Sequence, residues 1–97
     1  MIDPNNVKAI TGNITDVYLD KQTDILYFTT DMPNRFFAYN VKIKTIVHEL
    51  PLNYAPTCFS LSEDGQKALI GHNRRITVIN INNFSVIKTI EIGRAHV

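Results

Sequence analysis

The chain has 97 residues, of which 44% are apolar and 20% charged, with ten basic and nine acidic side chains. This composition excludes collagen-like and disordered classes, and the near-neutral balance offers no footprint for nucleic acid, so no nucleic-acid partner is expected. No apolar run approaches the ~20 residues that span a bilayer, so no membrane insertion is expected either. The single cysteine, Cys58, excludes an internal disulfide, and we expect it to be a small buried hydrophobic residue.

Apolar residues follow a period of two or form short runs, a pattern that predicts strands throughout the chain. The strands predicted for a first unit are 15–19, 25–30, 35–40 and 43–49. Those predicted for a second unit are 57–61, 67–71, 76–80 and 86–91. Short polar connections separate them, and the Asp64-Gly65 pair is a strong hairpin signal because glycine accepts a positive φ without strain.

The two units repeat one another. The tetrapeptide Ile-Lys-Thr-Ile at 43–46 returns at 87–90, and Leu-Tyr-Phe-Thr at 26–29 aligns with Ala-Leu-Ile-Gly at 68–71. A period of roughly 40–45 residues with about four short strands in each unit is the signature of a β-propeller blade. A generic β-sandwich or barrel is the alternative.

We therefore predict an all-β chain that is a β-propeller fragment: two four-stranded antiparallel blades plus the last strand of a preceding blade. The expected boundaries are 1–13 for the end of the preceding blade, 14–55 and 56–91 for the two blades, and 92–97 for a tail. The tail resembles the translation of a widely used sequencing adapter, so we expect it to be non-native and exclude it from functional reasoning.

Over about residues 14–90 the sequence resembles the YVTN-type β-propeller repeat. Leu-Tyr-Phe-Thr-Thr at 26–30 stands where that family carries Tyr-Val-Thr-Asn, and Ser-Glu-Asp-Gly at 62–65 fits its longer pattern. The resemblance implies a closed ring of about six to eight blades and an extracytoplasmic location, secreted or at the surface of bacteria or archaea. A WD-type repeat is not favoured, because the chain lacks Trp and its Gly71-His72 pair follows a second strand.

The resemblance also implies that binding occurs at the mouth of the propeller channel. The loops facing the mouth would be the turns between second and third strands and the connections between blades. The candidate ligand or partner contacts in these loops are Asp31, Asn34, Tyr54, His72 and Arg74. The pairing of His72 with Arg74 suits an anionic ligand or a metal carboxylate shell, but ordinary polar turns have the same composition. His48 is expected to be an exposed residue of an outermost strand.

The chain shows no glycine-rich phosphate loop, serine elbow or dinucleotide fingerprint, so we predict no catalytic residue, cofactor or metal. The expected function is a non-catalytic binding or scaffold module whose partners are a protein, peptide or glycan and the remaining blades of the same parent chain. The alternative is part of a lactonase-like or quinoprotein-like propeller enzyme whose active site is completed by other blades. Because two blades cannot close a ring, we also expect residues 1–90 alone to be aggregation-prone or marginally folded.

Overall fold

The computed structural model describes residues 12–92, which form two four-stranded antiparallel sheets with the strand orders β1-β2-β3-β4 and β5-β6-β7-β8. The strands are β1 (Asn13–Asp20), β2 (Ile25–Asp31), β3 (Arg35–Asn40), β4 (Thr45–Pro51), β5 (Cys58–Leu61), β6 (Lys67–His72), β7 (Arg75–Asn80) and β8 (Ser85–Glu91). The predicted all-β fold with two four-stranded blades is confirmed.

The predicted last strand of a preceding blade lies within residues 1–11, outside the described part of the chain, as do residues 93–97 of the predicted tail. Both therefore stay predictions. Between residues 12 and 92 there is no helix with the length and hydropathy needed to cross a membrane.

Asparagine side chains organise the turn that follows the third strand of each sheet. The Asn40 Oδ1 accepts a hydrogen bond from the Lys42 N–H at 2.9 Å, and the Asn80 Oδ1 accepts one from the Asn82 N–H at 2.8 Å. Asparagine is suited to this position because its short amide can bond the backbone two residues further on. The Asp64-Gly65 turn also forms as predicted, with Gly65 at φ +72°.

These asparagines show that the most visible sequence repeat is not the structural one. Asn40 pairs with Thr45 and Asn80 with Ser85, so position 45 corresponds to position 85 rather than to 89. The prediction that a strand begins at Ile43 is wrong, because residues 43 and 44 belong to the turn. The matching residues 87 and 88 lie within β8. Identical letters here occupy different positions in the blade.

The hydrophobic core lies between the two sheets. It consists of the buried residues Tyr27, Phe36, Ala38, Leu52, Ala68, Ile70, Ile79 and Phe84. Alternation along each strand produces it, because Tyr27 pairs with Ala38 on one sheet and Ala68 pairs with Ile79 on the other. Cys58, which we expected to be buried, is exposed because it lies on the opposite face of β5 from Phe59, which packs against the core.

Phe84 reaches this core from a turn rather than from a strand. It has a positive φ of 53°, and its ring stacks on Phe36 at 5.0 Å and on His48 at 4.8 Å between ring centroids. His48 is exposed as predicted, but it also covers one side of an aromatic ring from the other sheet. The turn between β7 and β8 therefore fastens the second sheet to the first.

Replacing Phe84 with Ala should lower the free energy of unfolding by about 3–5 kcal/mol, the usual loss for truncating a buried ring. The measurement is urea unfolding followed by far-UV circular dichroism. Lys44→Ala is the matched control, since Lys44 has the equivalent left-handed conformation at φ +58° but is exposed. Its effect should stay within about 0.5 kcal/mol. Equal losses in the two variants would show that Phe84 does not join the sheets.

Candidate functional site

The first strands of the two sheets, β1 and β5, meet through a side chain of β1. Asp16 follows an irregularity in the β1 ladder between Ile14 and Asp16. Its Oδ2 accepts a hydrogen bond from the Phe59 N–H at 3.0 Å, while its Oδ1 accepts one from the Val17 N–H at 2.9 Å. Asp16 thus ties the edge of one sheet to the edge of the next.

A groove of about 1100 Å³ opens beside this tie, and we refer to it as the first-strand groove. It is lined by residues of β1 and β5, by the turns that follow them, by Tyr27 of β2 and by Ile81 and Asn82 of the β7–β8 turn. The charged side chains in its lining are Asp16, Asp20, Glu63 and Asp64, against the single base Lys21. Tyr18, which is 51% exposed, adds an aromatic surface. The groove is therefore acidic, whereas the whole chain carries a net charge of +1.

Hydrogen bonding favours the charged form of one of these carboxylates. The Asp64 Oδ1 accepts hydrogen bonds from the Ser62 hydroxyl at 2.6 Å and from the Gln66 N–H at 2.9 Å. Both bonds lower the pKa of Asp64, and the bond from Ser62 has the larger effect. At the base of the groove, burial and then the negative charge of Asp20 raise the pKa of Tyr27. At neutral pH the groove therefore combines the ionised carboxylate of Asp64 with the protonated phenol of Tyr27.

Removing the Ser62 hydroxyl should raise the pKa of Asp64 toward its ordinary value of 3.8. Because the folded-state pKa is lowered, the ionised form of Asp64 favours the folded state above the unfolded pKa. That contribution is lost as pH falls through the folded pKa. The check is an NMR titration of the Asp64 carboxyl carbon in Ser62→Ala, with Ser60→Ala as the control. Indistinguishable midpoints in the two variants would contradict the assigned cause.

The sequence-predicted site residues do not line this groove. Four of them lie at or just after the ends of β2 and β6, namely Asp31, Asn34, His72 and Arg74, and Tyr54 lies in the connection between β4 and β5. Asp31 accepts a hydrogen bond from the Asn13 amide at 3.1 Å. The Asn34 side chain accepts a hydrogen bond from the Met32 N–H at 3.4 Å, and the Asn34 backbone carbonyl accepts one from the Leu52 N–H at 2.9 Å. Both residues thus hold the turn of the first sheet and its exit toward the second.

The structure does bring Tyr54 and His72 together. Their rings meet edge to face at 5.7 Å, and the guanidinium of Arg75 lies 4.0 Å from the centre of the Tyr54 ring. Arg75 also binds Glu91, and this hydrogen bond lowers the pKa of Glu91. Arg74, the predicted partner of His72, is instead an exposed turn residue at φ +70° whose carbonyl accepts from the Ile92 N–H.

Both ring nitrogens of His72 already have hydrogen-bond partners. His72 is only 9% exposed, and its Nδ1 lies 3.0 Å from the Ala55 carbonyl oxygen and its Nε2 lies 2.8 Å from the Thr77 hydroxyl. In a neutral imidazole, Nδ1–H then donates to Ala55 and Nε2 accepts from Thr77. This arrangement anchors the connection between the sheets and leaves no ring nitrogen for a ligand. Among residues 12–92 no group of three His, Cys, Asp or Glu side chains could hold a metal ion.

Thr77→Val should lower the free energy of unfolding by about 1–3 kcal/mol, because it leaves a buried imidazole nitrogen without its partner. Thr89→Val is the matched control, since Thr89 pairs directly with Thr77 across the ladder but is exposed. Its loss should stay within about 0.5 kcal/mol. Urea midpoints of the two variants provide the comparison, and a shared value would argue against a structural role for the His72 bond.

No protein-family model and no curated protein matches the chain. Among solved structures, the WD40 repeats of RRP9 align with a TM-score of 0.76 and 13% identity over 87% of this chain and 27% of that chain. Hydrazine synthase of Kuenenia stuttgartiensis aligns with a TM-score of 0.74 and 15% identity over 82% of this chain and 24% of that chain. A eukaryotic initiation factor aligns with a TM-score of 0.64 and 20% identity over 94% of this chain and 23% of that chain.

These identities are low, and the likeness concerns the fold. The chain spans about a quarter of the length of the solved structures to which it is similar. Its two sheets match the four-stranded blades of WD40-type β-propellers, so a propeller-type repeat is the class of structure that it forms. The finer assignment to YVTN-type repeats stays a prediction.

Proposed function

We propose that the chain is part of a larger β-propeller that serves as a non-catalytic binding or scaffold module, and that its partner enters the first-strand groove. The groove itself carries the proposal, since it combines a volume of about 1100 Å³ with the edges of two strands. Each of β1 and β5 is the first strand of its sheet, so one backbone edge of each is free of a strand partner within the described sheets. Such an edge is suited to an extended peptide.

The charge of the groove favours one kind of partner among the protein, peptide and glycan classes that the sequence leaves open. The acidic residues of the groove outnumber its single lysine, and Tyr18 and Leu19 are 51% and 41% exposed beside them. Carboxylates next to an exposed aromatic ring complement lysine and arginine side chains, which carry a charge on an apolar stem. The proposed partner is therefore a protein segment or peptide rich in basic residues.

A catalytic role is the weaker candidate. Asp16 and Asp64 are engaged in holding a strand edge and a turn, and both ring nitrogens of His72 are engaged in the fold. The likeness to hydrazine synthase is a likeness of fold at 15% identity. The resemblance to YVTN-type repeats supports an extracytoplasmic location, which is part of the same proposal.

The test is the binding of a fluorescent lysine-rich peptide to the chain, measured by anisotropy at low salt with a glutamate-rich peptide as the reference. Glu63→Lys places a positive charge in the groove and should weaken binding of the basic peptide by about tenfold or more. Asp31→Lys makes the same change of charge at the end of β2, outside the groove, and should leave affinity unchanged. Binding should also fall as ionic strength rises.

The two variants separate the structural proposal from the sequence-based one. Loss of binding in Asp31→Lys but not in Glu63→Lys would move the binding surface to the predicted mouth loops. Equal binding of the acidic and basic peptides would overturn the proposed partner chemistry. Circular dichroism of each variant distinguishes lost binding from lost structure.

A further inference from the structure

The Asp16 carboxylate binds the backbone of two strands that belong to different sheets. Its Oδ1 accepts the Val17 N–H of β1 at 2.9 Å, and its Oδ2 accepts the Phe59 N–H of β5 at 3.0 Å. Neither bond belongs to a ladder between strands. We refer to these two N–H groups as the edge donors, and each carboxylate oxygen covers one of them.

The alternation of backbone groups along a strand shows that the edge donors point away from their own sheets. In an antiparallel ladder, successive residues direct their N–H and C=O groups alternately toward the paired strand and away from it. The Ser62 N–H bonds the Lys67 carbonyl across the ladder, so the backbone groups of Phe59, three positions earlier, point to the opposite side. Val17 holds the matching position on β1. Both donors therefore lie on edges without a partner strand in the described sheets.

A bulge in β1 directs the Asp16 side chain toward these edges. The ladder between β1 and β2 is irregular between Ile14 and Asp16, which leaves Thr15 as an extra residue in the register. The Thr15 hydroxyl lies 2.7 Å from that of Thr29, a fully buried residue of β2, and this contact holds the bulge. Bulges redirect side chains and interrupt strand pairing at the edges of sheets. The local backbone of β1 thus favours the position from which Asp16 reaches both donors.

The edge donors are the groups that an added strand would use. A partner strand binds an open edge by placing its carbonyl oxygens on the N–H groups of that edge. At Val17 and Phe59 the backbone of a partner therefore competes with the Asp16 carboxylate. Displacing this half-buried carboxylate is unfavourable unless other donors replace the two that it loses. A lysine or arginine side chain of the partner supplies such donors.

We propose that Asp16 is the specificity-determining residue of the first-strand groove, because it covers the edge donors until a basic side chain binds it. An extended segment with a lysine or arginine facing Asp16 gains the Val17 and Phe59 N–H groups for its own carbonyls. A neutral extended segment has nothing to offer the displaced carboxylate and binds weakly. This inference rests on the proposed function, and it adds the residue and the backbone groups through which basic partners are selected.

The second sheet has no carboxylate at the equivalent position. The corresponding residue is Cys58, which pairs with Gly71 as Asp16 pairs with Thr29. A thiol is only a weak hydrogen-bond acceptor, so Cys58 cannot cover an edge donor as a carboxylate does. A four-stranded sheet of this type therefore forms without an acidic residue here, which favours a binding role for Asp16 over a general requirement of the fold.

The test uses two fluorescein-labelled peptides, one of alternating threonine and valine and one with a central threonine replaced by lysine. By anisotropy, the lysine peptide should bind the unmodified chain about tenfold or more tightly than the neutral peptide. Asp16→Ala opens both edge donors, so the neutral peptide should gain about tenfold or more in affinity. Asp16→Asn keeps one acceptor oxygen and should give a smaller gain. Circular dichroism establishes that both variants are folded.

Asp20→Ala is the matched control. Asp20 lies two positions further along β1 and lines the same groove, but its carboxylate accepts the Gln22 N–H of the following turn. This variant removes an acidic residue without opening an edge donor, so it should not improve binding of the neutral peptide. Equal gains in Asp16→Ala and Asp20→Ala would overturn the role of Asp16.

Amide NMR of the unmodified chain provides a second readout that depends on no substitution. The Val17 and Phe59 amide signals should shift when the lysine peptide is added, because a peptide carbonyl replaces the carboxylate. Tyr18 is the internal reference, since by alternation its N–H faces β2. Bound peptide with unchanged Val17 and Phe59 signals would contradict displacement of Asp16.

The role of Asp16 and the proposed function fail in different ways. Binding of the lysine peptide together with no gain for the neutral peptide in the folded Asp16 variants would overturn the role of Asp16 and leave the basic partner standing. Equal binding of acidic and basic peptides to the unmodified chain would overturn the basic partner and, with it, the selection by Asp16. The Glu63→Lys comparison is measured separately and changes neither edge donor.

Discussion

The burial of Phe36 between the two sheets is the interaction on which the rest of the structure depends. A single four-stranded sheet cannot bury an apolar face by itself, so each sheet here is stable only against another layer. Phe36 is fully buried, and its ring lies 5.0 Å from that of Phe84 in the β7–β8 turn and 5.3 Å from that of Phe59 in β5. This packing places β1 next to β5, so that the Asp16 carboxylate can accept a hydrogen bond from the Phe59 N–H. The two strands then form the two walls of the first-strand groove.

Much of the fold follows from local sequence rules. The alternation of apolar residues predicted all eight strands, and the Asp-Gly pair predicted the turn that Gly65 forms. The register of the repeat could not be taken from identical letters, because Ile-Lys-Thr-Ile fits both a turn and an exposed strand. The asparagine that ends each third strand defines the register of the repeat better, because its side chain accepts the backbone N–H two residues further on in both blades.

The candidate site depended on contacts that no local rule contains. Asp16 and Phe59 are 43 positions apart, and the carboxylate acquires its role only when two strand edges meet. A polar residue interrupting an apolar strand was the available signal. His72 was chosen for its chemistry, but burial and two hydrogen bonds make it an anchor of the connection between the sheets. The residue type of His72 suggested a binding role, whereas its tertiary environment gives it a structural one.

The differences between the two blades concern the polar residues around the apolar centre. Lys88 stands at the ladder position of His48, and Cys58 stands at that of Asp16. In the first blade His48 stacks on a ring of the second sheet's last turn, and Asp16 accepts a hydrogen bond from the Phe59 N–H. Both of these contacts between the sheets therefore depend on residues that the second blade does not repeat. The apolar centre accounts for the burial at the interface, whereas its specific contacts belong to individual residues at the rim.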